Sequence, residues 1–179
     1  GIREGMAIAD IGAGIGQFTF HFAGLVGPKG LVYAEDIDES TFELLKYTVK
    51  TENIKNVIPL LGTPTDMKLP ADALDMAVLI HVYRSIVVGM DEEGPERLKS
   101  FFDGFFASIA KALKKDGTLV MVDHKSPEFD VSSETITAEL KKRNFRLTGE
   151  IPLKGRNFVF FFKKAPAGTA SKASGAAKR

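Results

Sequence analysis

The sequence predicts an α/β protein: a doubly wound, mostly parallel, seven-stranded sheet with helices on both faces and a C-terminal antiparallel hairpin strand. Three observations predict it. Residues 6–11, 30–34, 57–61, 74–80 and 118–122 are short runs rich in Val, Ile, Leu and Met that hardly alternate, the pattern of strands buried on both faces. Stretches with helical spacing lie between them. Two last runs, 145–152 and 157–163, flank Lys154-Gly155-Arg156, which reads as a hairpin turn.

A first helix is expected over 17–26, where Phe18, Phe22 and Leu25 share a face and Gly27-Pro28 stops the chain. A second, over 39–52, has Ser40 and Glu43 spaced as a capping box and turns Phe42, Leu45 and Val49 inward. A third, over 95–114, carries an apolar stripe of Leu98, Phe101, Phe102, Phe105, Ile109 and Leu113, with Lys111, Lys114 and Lys115 where cations favour the helix dipole. Residues 127–132 read as loop, and a further helix over 133–143 ends at Asn144.

With 179 residues, 44% of them hydrophobic, the chain supports one domain, 1–164. Residues 165–179 lack the apolar side chains that repay ordering entropy and are expected to form a disordered basic tail. Lys and Arg number 24 against 23 Asp and Glu, which argues against nucleic acid or an acidic membrane as partner. No apolar run has the length of a membrane span and the first residues lack a signal-peptide pattern, so the chain reads as soluble, with cytoplasm the default compartment. Cysteine is absent, which excludes disulfides, thiolate metal sites and a cysteine nucleophile.

The chemistry concentrates at the ends of the first two strands. Ala9-Asp10-Ile11-Gly12-Ala13-Gly14-Ile15-Gly16 leads from strand to helix, where glycines permit positive φ and bring N–H groups close to a ligand. A dinucleotide site wants its third glycine three residues after the second, but position 17 is Gln. Asp10 would repel a diphosphate and favours a ligand with a cationic end. The second strand ends Val32-Tyr33-Ala34-Glu35-Asp36-Ile37-Asp38, with Asp36 placed to accept the hydroxyls of a ribose, Glu35 in reserve and Ile37 beside it for a flat base.

These two segments resemble the first two motifs of the class I S-adenosylmethionine-dependent methyltransferases. Leu61-Gly62-Thr63-Pro64-Thr65-Asp66, Leu74-Asp75-Met76-Ala77-Val78-Leu79 and Leu113-Lys114-Lys115-Asp116-Gly117-Thr118-Leu119-Val120 follow in the family's order, so the resemblance runs from about residue 6 to 163. It implies S-adenosylmethionine as co-substrate. Asp10, Gly12, Ala13, Gly14 and Gly16 then lie along the methionine part, Asp36 with Glu35 at the ribose, and Ile37, Gly62, Thr63, Pro64 and Thr65 around the adenine. Many relatives carry Asp where Thr63 stands.

Methyl transfer from a sulfonium is an in-line displacement in which the protein positions the acceptor and, where needed, removes its proton. The resemblance brings the segment after the fourth strand, Ile80-His81-Val82-Tyr83-Arg84, together with the end of the fifth, Asp123-His124-Lys125. His81, Tyr83 and His124 are the acceptor-side candidates, and His81 also a cofactor contact. Residues 74–81 further resemble catechol-type O-methyltransferases. Ile80 stands where those carry the first magnesium carboxylate, and Asp123 with His124 is by itself a poor zinc site, so no metal is expected. The family's N-terminal helices cover the cofactor. Here residues 85–95, apolar Val87-Val88-Gly89-Met90 beside Asp91-Glu92-Glu93, read as a long loop that serves as lid or as a homodimer contact.

The implied function is methyl transfer to a small-molecule acceptor. A non-catalytic S-adenosylmethionine-binding regulatory or assembly module, and a nucleotide-dependent oxidoreductase, are the alternatives.

Overall fold

The apolar runs form strands and the stretches of helical spacing form the helices that cover them, in a computed structural model that describes residues 1–124, 132–155 and 157–166. In chain order the elements are β1 (Ala7–Ile11), α1 (Thr19–Val26), β2 (Leu31–Asp36), α2 (Glu39–Thr51), β3 (Val57–Leu61), β4 (Leu74–Ile80) and α3 (Val82–Gly89). A 3₁₀ turn at Asp91–Glu93 follows, then α4 (Pro95–Ala112), β5 (Leu113–His124), α5 (Ser133–Lys142), β6 (Phe145–Pro152) and β7 (Asn157–Lys164). The expected loop at 127–131, the turn residue Arg156 and the tail from 167 onward lie outside the described residues.

The seven strands make one sheet in the order β3-β2-β1-β4-β5-β7-β6. β3, β2, β1, β4 and β5 pair in parallel, and β7 runs antiparallel to both β5 and β6. From β1 the chain winds outward to β3, then returns to pair β4 with the other edge of β1. The crevice at the carboxyl ends of β1 and β4 is therefore the topological switch point, where such sheets bind ligands.

Each face has its own core. On one, Phe102, Phe106 and Ile109 of α4 and Ile136 and Leu140 of α5 pack on Ala77, Leu79, Phe160 and Phe162. On the other, Ala23 and Val26 of α1 and Leu45 of α2 cover Ile8, Val32 and Ala34. That second pair of helices does not reach across β4, β5 and β7, whose side chains on this face line an open hollow.

Local chemistry moves four boundaries from where spacing placed them. In α1 the residues that face the sheet are Thr19, Ala23 and Val26, whereas Leu25 is 57% exposed. The Thr19 hydroxyl donates to buried Asp10 (2.6 Å), and that bond, with the small Ala23, sets the helix's rotation against the sheet. The cap of α2 is Asp38, whose carboxylate accepts from the Thr41 N–H (2.8 Å), and not Ser40. Helix α4 ends at Ala112 because Leu113 is already extended, so Lys114 and Lys115 belong to β5, where the Lys114 ammonium pairs with Asp75 of β4 at 2.7 Å. Residues 85–95 are not a long loop: α3 and the 3₁₀ turn take up most of them, and Ile86 and Val87 pack against the core.

Phe102 is fully buried and stacks on Tyr83, so Phe102→Ala should cost about 3–5 kcal/mol. Leu25→Ala on the exposed face of α1 should stay within about 0.5 kcal/mol. Urea-denaturation midpoints of the two variants check both, and a large loss in Leu25→Ala would restore the inward face suggested by spacing.

Candidate functional site

Parallel strands deliver their carboxyl ends to one rim, and the chain there is irregular in a specific way. After β1, Gly12, Gly14 and Gly16 all have positive φ (69°, 56° and 91°). At Gly14 a Cβ would meet nothing within 4 Å, so the turn leaves open space above it, where a ligand can lie against the backbone. Gly62, after β3, has the opposite reason: a Cβ there would fall 1.9 Å from the Glu35 carboxylate.

Two backbone donors of the glycine turn are tied to the end of β2. The Ala13 N–H donates to the Glu35 carbonyl (2.9 Å) and the Gly14 N–H to the Asp36 carboxylate (2.8 Å), whose other oxygen accepts from the Asp38 N–H (3.0 Å). Asp36 is half-buried, with one edge at the rim, and Ile37 beside it is a 55% exposed apolar surface. Thr63, Pro64 and Thr65 form the exposed turn across from it, closed by the Thr63 N–H on the Asp66 carbonyl (2.8 Å). Thr65 rests against Gly104 of α4.

The neighbouring acids differ. Glu35 points the other way from Asp36 and is buried under Gly62. Burial first, then the charge of Asp36, pushes its carboxyl up to about 8, against the opposing Gly12 N–H bond. Its Oε1 has no hydrogen-bond partner among the described residues. Asp10 is buried too, and burial raises it to about 6, against the bond from Thr19 and with a smaller push from Asp36. Its carboxyl accepts from Thr19 beneath the turn and so ties the end of β1 to α1, while Asp36 keeps an edge at the rim.

Across the crevice stands the acceptor side. His81 caps α3 at φ 61°, left-handed and unusual for a side chain of this size, with its N–H on the Val122 carbonyl (2.8 Å) and its carbonyl accepting from the Ser85 hydroxyl (2.7 Å). His124 ends β5, with its ring 5.7 Å from that of His81. Between them lies Asp123, 1% exposed, accepting from the Arg84 N–H (3.0 Å) and the His124 N–H (2.9 Å). Sequence reasoning weighed Asp123 as a magnesium carboxylate and, with His124, as a poor zinc pair, and did not add His81, which the fold brings to the same place. Tyr83 is not brought here: its ring is buried, stacked on Phe102 at 5.0 Å, beside a separate cavity of about 460 Å³ with Val87 and Leu98. Lys125 lies outside the described residues.

Below His81 the uncovered face of β4, β5 and β7 forms the hollow, about 530 Å³, walled by Val78, Ile80, Val122 and Phe161 and by Phe18 and Phe22 from the α1 side. The face of α1 that carries Phe18 and Phe22 thus serves the hollow.

A glycine turn clipped to an acidic strand end, at the switch point of a sheet in this order, defines the class I S-adenosylmethionine-dependent methyltransferase fold. A family model described as "Methyltransferase domain" matches residues 2–164, and the chain belongs to that family. It is similar to the ubiquinone/menaquinone biosynthesis C-methyltransferase UbiE of Vibrio vulnificus (strain YJ016), 26% identical over 77% of this chain and 48% of that protein. It is also similar to a fibrillarin-like rRNA/tRNA 2'-O-methyltransferase of Pyrobaculum calidifontis, 29% identical over 80% of this chain and 58% of that protein. The chain spans about half the length of the curated relatives it matches. Among solved structures, a SAM-dependent methyltransferase from Aquifex aeolicus shares the fold with a TM-score of 0.76 at 22% identity, covering 90% of this chain and 84% of that one. Among the described residues no helix is long and apolar enough to cross a membrane.

The buried acids give the ligand-free domain a stability that falls as pH rises. Glu35 keeps its proton to about 8 when folded but releases it near 4.5 when unfolded, so between those values the folded state binds more protons and each step upward favours unfolding. Asp10 adds the same sign between about 4 and 6. Melting temperatures from pH 5 to pH 8 should fall, and Glu35→Gln should flatten most of the slope above pH 6. A Glu35→Gln profile as steep as the parent's would show that Glu35 is ionised in the fold.

Proposed function

We propose that this domain transfers the methyl group of S-adenosylmethionine to a small acceptor with an apolar body. The observation that carries the reading is the meeting of two unlike surfaces at His81: the clipped glycine turn with Asp36 on one side, and the apolar hollow on the other. The residues fit the co-substrate. Open space over Gly14 admits the methionine part, the half-buried Asp36 carboxylate accepts ribose hydroxyls, and exposed Ile37 with Thr63 and Pro64 borders a flat base. Bound there, the sulfonium supplies an electrophilic methyl whose bond to sulfur breaks with the electron pair left on sulfur.

The chain's own part is positioning. The hollow holds the acceptor's apolar body, since it is the large uncovered apolar surface that runs up to the crevice. His81, 54% exposed, and His124, 37% exposed, stand where the nucleophile arrives and orient it, and the proton it gives up leaves to water, to which both imidazoles are open. The similarity to UbiE, a ubiquinone/menaquinone biosynthesis C-methyltransferase, supports a small acceptor. The fibrillarin-like relative's name points to RNA, but near-balanced charge, 24 basic against 23 acidic residues, supplies no field for a polyanion.

Two measurements test this. Calorimetry should find S-adenosylmethionine binding that Asp36→Ala weakens by about 10- to 100-fold, the worth of hydrogen bonds to a charged acceptor. Incubation with a panel of hydroxylated aromatic compounds and with RNA transcripts should yield S-adenosylhomocysteine with members of the first set alone. Transfer to RNA only would overturn the acceptor class, and binding without any transfer would favour the non-catalytic module.

A further inference from the structure

We propose that His81, Asp123 and His124 form a three-ligand site for a divalent transition metal of the zinc class, open on its acceptor side. The expectation that no metal is held weighed Asp123 and His124 without His81. The fold adds that third ligand: one donor atom from each of the three residues lies within 4.8 Å of the others.

Distances separate this reading from a hydrogen-bonded pair. The His81 Nδ1 stands 3.6 Å, and the His124 Nδ1 3.7 Å, from the same oxygen, Oδ1 of Asp123. Both are too long for N–H···O bonds, which close to about 2.7–3.2 Å. Donors of one tetrahedral ion, each about 2.0–2.2 Å from it, stand about 3.3–3.6 Å apart. The His81 separation falls at the upper end of that spacing and the His124 separation just beyond it, and neither imidazole makes the shorter contact with that oxygen.

The carboxylate ligand is held by fixed outer partners, and the backbone that carries His81 is held in place. Asp123, buried, has its oxygens oriented by the Arg84 and His124 N–H groups. His81 is fixed in its left-handed conformation by the Val122 carbonyl and Ser85. Two imidazoles and one carboxylate suit zinc-class ions better than magnesium, which wants oxygen ligands. With three protein ligands, the fourth position faces the crevice, the arrangement of catalytic zinc sites. A role for the ion rests on the methyl-transfer reading. An acceptor hydroxyl bound at the open position loses its proton to water, and its oxygen pair attacks the methyl as the carbon–sulfur bond breaks. The existence of the site does not rest on that reading.

The chain's three histidines make the test simple, because His21, on the exposed side of α1, is an internal control. Tag-free protein freed of metal is titrated with Zn²⁺ against a chromophoric chelator, and with Co²⁺ followed by its visible absorption. One equivalent should bind, with affinity reduced at least about tenfold in His81→Asn and in His124→Asn and unchanged in His21→Asn. Asn tolerates left-handed φ, so His81→Asn keeps the backbone of α3, and melting curves confirm that each variant is folded. No saturable binding, or equal binding in parent and in both site variants, overturns the proposal. S-adenosylmethionine calorimetry and S-adenosylhomocysteine formation on the same samples report separately on the methyl-transfer reading, which fails if the co-substrate does not bind or if it binds without transfer, whatever the metal titration shows.

Discussion

The hydrogen bond from the Gly14 N–H to the Asp36 carboxylate is the contact on which the donor half of the site depends. It joins the turn after β1 to the end of β2, and the parallel bond from Ala13 to the Glu35 carbonyl doubles the tie. A turn with three residues at positive φ would otherwise sample many conformations, since glycine is the residue least restrained by its own sterics. Clipped at both donors, it presents an open backbone over Gly14 in one shape, and the ordering cost falls on folding and not on ligand binding. The acid that does the clipping also keeps one edge at the rim, so one side chain both shapes the turn and faces the crevice.

The acceptor half follows from the uneven cover of the sheet. Helices α3, α4 and α5 complete one face, and the Phe residues of α4 and β7 fill it. On the other, α1 and α2 stop over β1, β2 and β3. The strands beyond keep apolar side chains on this face, among them Val78, Ile80, Val120, Val122, Val159 and Phe161. A half-covered sheet of this kind therefore leaves an apolar hollow next to its switch point without any specialised sequence.

That balance explains what was legible in the sequence. Strand runs 57–61 and 74–80 match β3 and β4 residue for residue, because in each a continuous apolar run ends where the strand ends, although only β4 is buried along its length. Asp36 and the three glycines were legible because a positive φ and a charge at a strand end are requirements of the single residue. What depended on partners distant in sequence was not. Thr19 rotates α1 through a bond to Asp10, Tyr83 is withdrawn by its stack on Phe102, and residues 85–95 are helical because Ile86 and Val87 find the core. Nothing within seven or eight residues of any of these positions reports on the partner that decides it.

Glu35 and Asp36 bring the two kinds of information together. Successive side chains on a strand point to opposite faces, so two adjacent carboxylates met opposite environments: one turned under Gly62 into a site that favours its proton, the other turned to the rim, where it accepts from the Gly14 and Asp38 N–H groups. Were both ionised, two negative charges on adjoining residues would oppose each other. With Glu35 neutral, the field at the rim belongs to Asp36 alone. Strand alternation thus divides a pair of like residues into a buried acid and one at the rim, and the same rule at the end of β5 sets buried Asp123 beside half-exposed His124.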